Sequence, residues 1–551
     1  MFFRRTFAVC LLAALFLAMA VTNNVAHAQT VTQLYQFGSA SGDPVTATYP
    51  AAITQGRDGD LYSTSPKGGA NANGAAYKFS PTGTESVIHS FLANQTEGFD
   101  CLSGLMLGRD GNFYGACADY ASNYGTLYSM PPSGTYSFVH SFFGPPNDGE
   151  FPFSVPIQAA DNYFYGVTFG GGPAEGVVYK TDSSGSKYKV IDTFPNRPGD
   201  AFAPVGSLVQ GTNGYFYGTL AGGGSHNSGA IFKISSAGKE TILYNLLSTD
   251  GSGPPAGLIQ GSDGYFYGCA STGGLSGVGT VFKVSSKGAF TMLHSFGSFA
   301  HDGLGCFVNL IQATDGNYYG ATQLGGLQGA KGTIFKVDSK GTYSVVYSFD
   351  GTVGFVPASP LYQHTNGLLY GVTQNGGIGT PGQGVIYSFN IGANPFARLE
   401  LTSGQAGNSI GIFGQGFLAA TGVTFGGVSA AFTPAGDNYM TVTVPSEGKS
   451  GSVVVNIPSG NLTSSKPFKL IPTITSFTPS QGPVGTVVTI AGTGLVQTTK
   501  VSFGGVAATS FAVNSGTQIT ATVPAGAKNG KISAKTKGGS ASSKGTFTVT
   551  P

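Results

Sequence analysis

The chain has 551 residues, of which only 9% are charged, and it contains 88 Gly, 40 Phe and 26 Tyr but no Trp. This composition is typical of tight turns and aromatic sheet packing, and no segment has the pattern of a long amphipathic helix. The 27 basic and 25 acidic residues nearly balance, and removing Arg4 and Arg5 with the N-terminal segment would leave 25 of each. We therefore expect neither a helical bundle nor a nucleic-acid-binding protein.

Residues 1–28 have the three-part plan of a secretory signal peptide. Two arginines precede an apolar run over 7–21, and Ala26-His27-Ala28 supplies small residues at a cleavage site. An uncleaved membrane anchor is the alternative, although the run is short for a helix that spans a bilayer. We predict cleavage after Ala28, secretion or display at the cell surface, and no transmembrane segment in the mature chain.

One phrase, Asp/Asn-Gly-x-aromatic-Tyr-Gly with small departures, recurs every 50 to 52 residues. A fixed period of this length indicates a repeat architecture. The copies begin at Asp58, Asp110, Asp161, Asn213, Asp263, Asp315 and Asn366.

Each period contains four strand-like runs, which are clearest over 257–261, 265–270, 280–285 and 290–296. The runs are short, rich in Val, Ile, Phe and Tyr, and bounded by turn residues. The Asp-Gly pair lies between the first two runs, where a tight hairpin needs positive φ. Four antiparallel strands in each period predict the blades of a β-propeller.

The two ends of the repeat region predict how the ring closes. The fourth-strand phrase occurs as QLYQF at 33–37, before the first complete period, and none follows the last third-strand phrase, VIYSF at 385–389. The N-terminal strand would therefore complete the last of seven blades and remove the exposed sheet edges.

Four cysteines remain after the signal peptide, and an even number in an exported protein suggests disulfides. Their repeat positions place all of them on one face of the ring. We predict that Cys101 pairs with Cys117 within a blade and Cys269 with Cys306 across neighbouring blades. Unpaired buried thiols are the alternative.

The period stops after Pro395, and two related segments of short alternating strands follow. They share a similar stretch, VTFGGVSAAFT at 423–433 in the first and VSFGGVAATSF at 501–511 in the second. Each has the size of a small immunoglobulin-like sandwich. We predict a signal peptide at 1–28, a seven-bladed β-propeller at 29–394 and sandwiches at 395–471 and 472–551. The last segment has six Lys and no acid, which suggests a solvated face or contact with an anionic polymer or lipid surface.

The repeat, with its Asp-Gly-x-x-Tyr-Gly phrase, Gly-Gly loop and fourth strand ending in Ser-Phe, resembles the GloVer tandem repeat of bacterial exported proteins over 31–390. PTITSFTPSQGPVGTVVTIAGTGLV at 472–496 resembles the opening of an IPT/TIG domain, and the first sandwich lacks that Pro-rich opening. The first resemblance implies a bacterial surface or secreted protein and no established chemistry.

Acidic residues recur thirteen positions before the turn residue of five consecutive blades, at the rim of one face. They could hold a cation or meet a ligand, although an Asx turn explains the same pattern. The loop over 117–125 adds an acid and two tyrosines that suit stacking. The candidate binding residues are Glu97, Asp148, Asp200, Asp250, Asp302, Asp119, Tyr120 and Tyr124.

Two classes of function fit this sequence. The first is a non-enzymatic binding or scaffold protein that docks an extracellular polysaccharide or protein on the propeller face, with the sandwiches as spacers or adhesion modules. The second is a propeller-type polysaccharide hydrolase or lyase, which would need two carboxylates about 5 to 10 Å apart. No blade departs from the repeat in favour of clustered acids, so we predict no catalytic residues, no metal and no cofactor beyond the cation considered above.

Overall fold

The computed structural model describes residues 29–45, 51–92, 97–118, 124–173, 175–194, 199–327, 331–377 and 383–551. In these ranges the regular elements are strands apart from one 3-10 turn, Phe417–Ala419. The strands form a seven-bladed β-propeller followed by two β-sandwiches, as the sequence predicts. The strands predicted in the fifth period are confirmed to within two residues.

Each blade is an antiparallel sheet of four strands, which we number from the axis outwards. The first strands are Thr54–Gln55, Met106–Leu107, Ile157–Gln158, Val209–Gln210, Ile259–Gln260, Ile311–Gln312 and Tyr362–Gln363. The second strands are Leu61–Ser65, Phe113–Cys117, Phe164–Thr168, Phe216–Leu220, Phe266–Ala270, Tyr318–Thr322 and Leu369–Asn375. The third strands are Ala75–Phe79, Thr126–Met130, Val177–Thr181, Ala230–Ile234, Thr280–Val284, Thr333–Val337 and Val385–Phe389. The fourth strands are Glu85–Ser90, Ser137–Ser141, Lys189–Thr193, Glu240–Asn245, Phe290–Ser295, Tyr343–Ser348 and Val31–Gln36.

The ring closes through the N-terminal strand. Val31–Gln36 pairs antiparallel with Val385–Phe389, so the seventh blade takes its outer strand from the start of the chain. Phe37 follows this strand and is buried against Tyr77 of the first blade, with ring centroids 5.5 Å apart. Gln55 of the first blade also donates to the Thr365 hydroxyl of the seventh at 2.9 Å. Closure thus joins the blades by strand pairing, apolar packing and a buried hydrogen bond.

The recurring phrase is explained by contacts within each blade. In five blades the turn Asp accepts a hydrogen bond from the Tyr hydroxyl four residues later, at 2.6 to 2.8 Å, and from the backbone N–H two residues later. In the other two, Asn213 and Asn366 donate to the corresponding Tyr oxygen instead. The final Gly makes room for a third-strand aromatic: a Cβ on Gly166 would lie 2.3 Å from the Tyr179 hydroxyl oxygen. The phrase therefore encodes a turn and its packing.

Neighbouring blades are joined by aromatic stacking and a polar belt. The phrase Tyr of one blade stacks on the aromatic residue that starts the next second strand, as in Tyr217 on Phe266 at 3.7 Å between centroids. First-strand glutamines accept the backbone N–H that precedes the turn residue of the previous blade, each at 2.9 Å. These glutamines are Gln158, Gln210, Gln260, Gln312 and Gln363. Blade packing is therefore both apolar and directional.

Short two-residue strands on one face connect the loops of a blade. Their pairs are Pro44–Val45 with Lys67–Gly68, Gly149–Glu150 with Gly170–Gly171, Ala201–Phe202 with Gly222–Gly223, and Gly303–Leu304 with Leu324–Gly325. In the seventh blade Phe355–Pro357 pairs with the end of the second strand. We call this face, built by the loops after the second and fourth strands, the open face. The opposite face, which carries the Asp-Gly turns, is the Asp-Gly face.

The two sandwiches have separate apolar cores, centred on Ile412 and Val455 in the first and on Ile490 and Ile532 in the second. Strands of the first are Arg398–Leu399, Ser403–Gly404, Ser409–Phe413, Gly422–Phe425, Val428–Ala430, Phe432–Pro434, Tyr439–Thr443, Val453–Ile457, Gly460–Thr463 and Lys469–Leu470. Strands of the second are Thr473–Thr478, Gln481–Gly482, Val487–Thr493, Thr498–Phe503, Val506–Ala507, Phe511–Val513, Gln518–Thr522, Gly530–Thr536 and Gly539–Val549.

The first sandwich packs on the Asp-Gly face against the first and seventh blades. Arg57 forms an ion pair with Glu400 at 2.9 Å, donates to the Arg109 carbonyl at 2.6 Å and lies 4.5 Å from the Tyr439 ring centroid. Asn438 donates to the carbonyl of the first turn residue, Asp58, at 2.8 Å. The sandwich thus covers part of the Asp-Gly face, and among the described residues no ion pair joins either sandwich to the open face.

Candidate functional site

A central funnel opens on the open face of the propeller. It encloses about 230 Å³ and is lined by residues of all seven blades. Most of them precede the first strands, because each chain segment enters its blade at the axis. The lining residues are Ala52, Leu102, Ser103, Phe153, Ser154, Val205, Gly206, Ser207, Pro255, Ala256, Phe307, Asn309, Gln323, Pro360 and Gln374.

The described lining residues are uncharged and mainly apolar. Leu102, Phe153, Val205, Pro255 and Phe307 occupy the same repeat position, eight residues before the turn residue, and form an apolar ring. Amide and hydroxyl groups, among them Ser154, Asn309 and Gln374, interrupt this ring. A mainly apolar concave surface with a few polar groups suits a neutral ligand that offers both apolar faces and hydrogen-bonding groups.

The loops that carry the apolar ring are fixed by an unusual backbone conformation. Ten residues before the turn residue, φ is between 56° and 70° in every described copy: Asp100, Phe151, Ala203, Gly253, Gly305 and Val356. A β-branched residue such as Val356 rarely adopts this region. The N–H of Phe151 donates to the Tyr124 carbonyl of the previous blade at 2.8 Å, and its carbonyl accepts from Phe169 at 3.1 Å. Residues held in such conformations cluster at functional sites.

Both disulfides also hold funnel loops. In the structure, bonds join Cys101 to Cys117 and Cys269 to Cys306. Cys101 and Cys306 directly precede the lining residues Leu102 and Phe307, and all four cysteines are buried. Peptide mapping of exported protein remains the test of this pairing.

The recurrent carboxylates lie at the outer rim and contact neighbouring blades. Glu97, Asp148 and Asp302 bond to His89, His140 and His294 at 3.1, 3.0 and 2.9 Å. All three histidines stack on a Tyr of the next blade, His89 on Tyr136, His140 on Tyr188 and His294 on Tyr343, at 5.7, 3.4 and 3.6 Å between centroids. Each unit therefore connects two blades.

Asp302 illustrates the hydrogen bonds that the carboxylate makes in such a unit. Its side chain is buried, Oδ1 accepts from the Gly303 N–H at 2.7 Å, and Oδ2 bonds to His294. Although burial opposes ionisation, the contact with His294 and the hydrogen bond from the Gly303 N–H hold the pKa of Asp302 below its usual value. The pKa of Asp148 is lowered in the same way by His140, and Asp148 also accepts a hydrogen bond from the Tyr188 hydroxyl. Asp250 accepts from the Tyr244 hydroxyl at 2.7 Å.

Glu97, Asp148, Asp250 and Asp302 also accept backbone hydrogen bonds within the propeller. Their role in binding stays a prediction, and a ligand would have to compete with these contacts. Within the described part of the chain, no three His, Cys, Asp or Glu side chains lie close enough to hold a metal ion.

The fifth carboxylate, Asp200, belongs to a different unit. Where the units of Glu97, Asp148 and Asp302 have His and Tyr, this one has Asp192 and Glu240. Burial, with repulsion from Asp192 and Asp200, raises the pKa of Glu240 to about 7. Burial also raises the pKa of Asp192. Three acids thus share a position that elsewhere contains a paired carboxylate, so one blade does depart from the repeat in favour of acids, at the outer rim.

The remaining candidates lie on the loop after the second blade's second strand. Tyr124 is on the open face with 42% of its surface exposed, and its ring packs over Gly144. Asp119 and Tyr120 lie outside the described residues. Across the described ranges, no helix is long and apolar enough to cross a bilayer.

Sequence reasoning did not find the funnel or the blade-joining units. A signal for the units exists, since each His precedes its carboxylate by eight residues. The funnel residues have no such motif, because their repeat positions hold Leu, Phe, Val and Pro in different blades.

Two families match this chain. The Gloeobacter/Verrucomicrobia repeat matches residues 21–175 and 156–387, and the IPT/TIG domain matches residues 472–549. No curated protein matches it.

Solved structures give weaker similarities. A fungal alcohol oxidase of the AA5 family in complex with copper is 14% identical, with 81% of this chain and 100% of that chain covered and a TM-score of 0.48. The surface glycan-binding protein PbSGBP-B from Prevotella bryantii is 19% identical over 27% of this chain and 38% of its own, with a TM-score of 0.21. SGBP-B from a xyloglucan utilization locus in Bacteroides uniformis is 19% identical over 28% and 48%, with a TM-score of 0.15. This chain therefore spans less than half of either glycan-binding protein, and we draw no functional conclusion from these three.

The repeat family covers most of the propeller and the second family covers the last sandwich. The chain belongs to the Gloeobacter/Verrucomicrobia repeat family and ends in an IPT/TIG domain.

Proposed function

We propose that this protein is an extracellular or cell-surface binding protein without enzymatic activity, and that its partner docks on the open face around the funnel. The observation that carries the proposal is the distribution of exposed large apolar side chains on the propeller. On the open face these are Leu92, Tyr124, Phe143, Phe169, Leu247, Leu275, Phe299, Leu324 and Leu327. Tyr215 lies on the Asp-Gly face, and Phe138 and Ile242 lie on fourth strands.

Such a concentration of apolar surface on one face of a rigid frame is typical of an interaction site. The first sandwich supports the same choice of face, because it packs against the Asp-Gly turns and not against the funnel. Binding therefore leaves the contact between propeller and sandwich undisturbed.

The chemistry of the open face suits a neutral extracellular polysaccharide. Phe169 and Phe153, with ring centroids 5.6 Å apart, offer apolar area for the C–H faces of sugar rings. Asn309, Gln323 and Gln374 supply amide groups for sugar hydroxyls. An apolar protein loop would use the same surface, and the test below includes it.

Export is part of this proposal. Residues 1–28 carry the signal-peptide pattern and lie outside the described residues. The two disulfides support an oxidising destination, because such bonds persist mainly outside the cytosol. N-terminal sequencing of protein recovered outside the producing cells should give Gln29 as the first residue.

The binding test uses an array of glycans and cell-wall polymers, with release of reducing ends measured in parallel, and cross-linking to secreted proteins of the same cells. We expect a bound polymer without release. Sustained release of reducing ends would replace the proposal with the hydrolase or lyase alternative.

A pair of single variants then tests the face. Phe169→Ala on the open face should weaken binding at least fivefold, since an aromatic anchor contributes about 1–3 kcal/mol. Tyr215→Ala is the matched control, because its ring is exposed to a similar extent on the opposite face, 41% against 37%. Loss of binding in Tyr215→Ala alone would show that the Asp-Gly face is the docking surface.

A further inference from the structure

The second sandwich carries an exposed group of lysines on one sheet. Lys531 and Lys535 lie on the strand Gly530–Thr536, and Lys500 lies on the neighbouring strand Thr498–Phe503. Alternate residues of these strands are buried in the core, so the lysines face outwards. Lys544 is exposed on the strand at the other side, Gly539–Val549. We call these four residues the lysine face.

The positive charge of the lysine face is not balanced within its domain. Residues 472–551 contain no Asp or Glu, and none of the ion pairs found among the described residues includes these lysines. Lys500 and Lys535 are register partners on adjacent strands, about 5 Å apart in the backbone. Like charges placed directly opposite each other destabilise a sheet, so this pairing carries a local energetic cost.

Edge protection does not explain the arrangement. Lysines often mark edge strands, where they prevent unwanted strand pairing. The strand Gly530–Thr536 is central, however, because it pairs with Thr498–Phe503 on one side and Gly539–Val549 on the other. Lys531 and Lys535 therefore need a different reason.

The first sandwich shows that the fold does not require lysines here. Gly422 and Asn456 are register partners where the second sandwich has Lys500 and Lys535. A serine hydroxyl accepts the same strand N–H in both domains, from Val453 to Ser464 and from Ile532 to Ser543.

This shared hydrogen bond aligns the two sandwiches at the positions of the other two lysines, Lys531 and Lys544. Ser452 matches Lys531, and Ser465 matches Lys544. The same outward positions are therefore neutral in one sandwich and basic in the other.

We propose that the lysine face binds an anionic polysaccharide. Charge complementarity requires a polyanion, and the spacing along one strand, about 13 Å between Lys531 and Lys535, suits a chain with repeated charges. Exposed hydroxyl side chains such as Ser542 and Thr546 lie beside the lysines and can bond to sugar hydroxyls. This surface is separate from the open face and adds a second binding site to the proposed function.

Lipid is a weaker fit for the same surface. Side chains that insert into a membrane interface are apolar, and those exposed in this domain lie elsewhere. Val487, Phe511 and Val513 are exposed on strands of the opposite sheet. A membrane would therefore meet the lysines without an apolar anchor.

The test uses the mature full chain with polygalacturonate as the anionic polysaccharide and dextran as its neutral counterpart. The variant combines Lys500→Ser, Lys531→Ser, Lys535→Asn and Lys544→Ser, which places small neutral residues like those of the first sandwich on the lysine face. We expect polygalacturonate to bind the unmodified protein, and binding to weaken at least tenfold in the variant. Raising the salt from 50 to 300 mM should weaken it by about as much, because exposed charges are screened.

The control variant neutralises four exposed lysines of the propeller, Lys187, Lys189, Lys239 and Lys287, each to Gln. It should bind polygalacturonate within threefold of the unmodified protein and keep the unmodified unfolding temperature of the last domain. In the lysine-face variant that temperature should be unchanged or slightly higher, because the repulsion between Lys500 and Lys535 is removed. Undiminished binding in the lysine-face variant would overturn the proposal. So would tighter binding to anionic vesicles or duplex DNA. Phe169→Ala should leave polygalacturonate binding unchanged, so failure of the open-face proposal is recognised separately.

Discussion

The three-acid unit predicts that a single neutralising change stabilises the propeller in a pH-dependent manner. In the folded protein the pKa of Glu240 is raised to about 7 from an ordinary value of 4.5, by burial and by the charges of Asp192 and Asp200. The folded state therefore holds this proton more tightly than the unfolded state. Protonated Glu240 therefore contributes to the free energy of unfolding. This contribution is fully present below about pH 4.5 and is lost as the pH rises to 7.

The size of the effect follows from the pKa. At about 1.4 kcal/mol per pKa unit, the rise from 4.5 to about 7 corresponds to at most about 3.5 kcal/mol. Glu240 is only partly buried, and solvent screening reduces this to about 1–2 kcal/mol. Glu240→Gln removes the charge without a large change in shape. We expect the variant to be about 1–2 kcal/mol more stable at pH 8 and equal to the unmodified protein at pH 4.

Urea unfolding at pH 4, 6 and 8, with calorimetry to separate the propeller from the sandwiches, measures this difference. Asp302→Asn is the contrasting variant. Asp302 occupies the same repeat position as Asp200, but its pKa is lowered. The ionised Asp302 carboxylate therefore contributes stability above about pH 4, and this contribution is lost as the pH falls below that value. We expect Asp302→Asn to cost about 2–4 kcal/mol at pH 8 and less at pH 3. A Glu240→Gln variant that is no more stable than the unmodified protein at pH 8, or whose gain is the same at every pH, would refute this reasoning.

Two further predictions concern covalent and topological closure. Deleting residues 29–40 removes the outer strand of the seventh blade and should lower the unfolding temperature of the propeller by more than about 10 °C, because a long strand pairing and a buried aromatic are lost; an unchanged melting curve would contradict this closure. Peptide mapping of exported protein without reduction should yield Cys101–Cys117 and Cys269–Cys306, and four free thiols or bridges between the two groups would disprove the pairing.

The sequence alone was sufficient for the seven-bladed ring, and the reason is that its evidence is local and repeated. The Asp-Gly turn needs only its own residues, since Asp110 bonds to Tyr114 four positions later and to the intervening backbone. Such short-range chemistry leaves the same phrase in every period. The displaced phrase at 33–37 predicted the ring closure, because one strand was missing at the other end.

The candidate site depended on contacts that no local pattern records. Glu97 and Asp148 were recognised as recurrent, but their second partners, Tyr136 and Tyr188 of the next blade, are brought beside them only when the blades pack side by side. The left-handed backbone conformation at Phe151 and Val356 cannot be predicted from the sequence. Hydrogen bonds to adjacent blades impose it on residues that do not favour it.

Only the tertiary structure decided which face is free and where charge accumulates. The first sandwich meets the propeller through Arg57 and Glu400, which are 343 residues apart in the chain. Lys500 and Lys535 become neighbours through strand register, although composition already showed that their segment was basic. Turn chemistry acts over a few residues and recurs in every period, so the sequence predicts it. The docking of the sandwich on the propeller and the register of strands are instead set by the packing of distant segments.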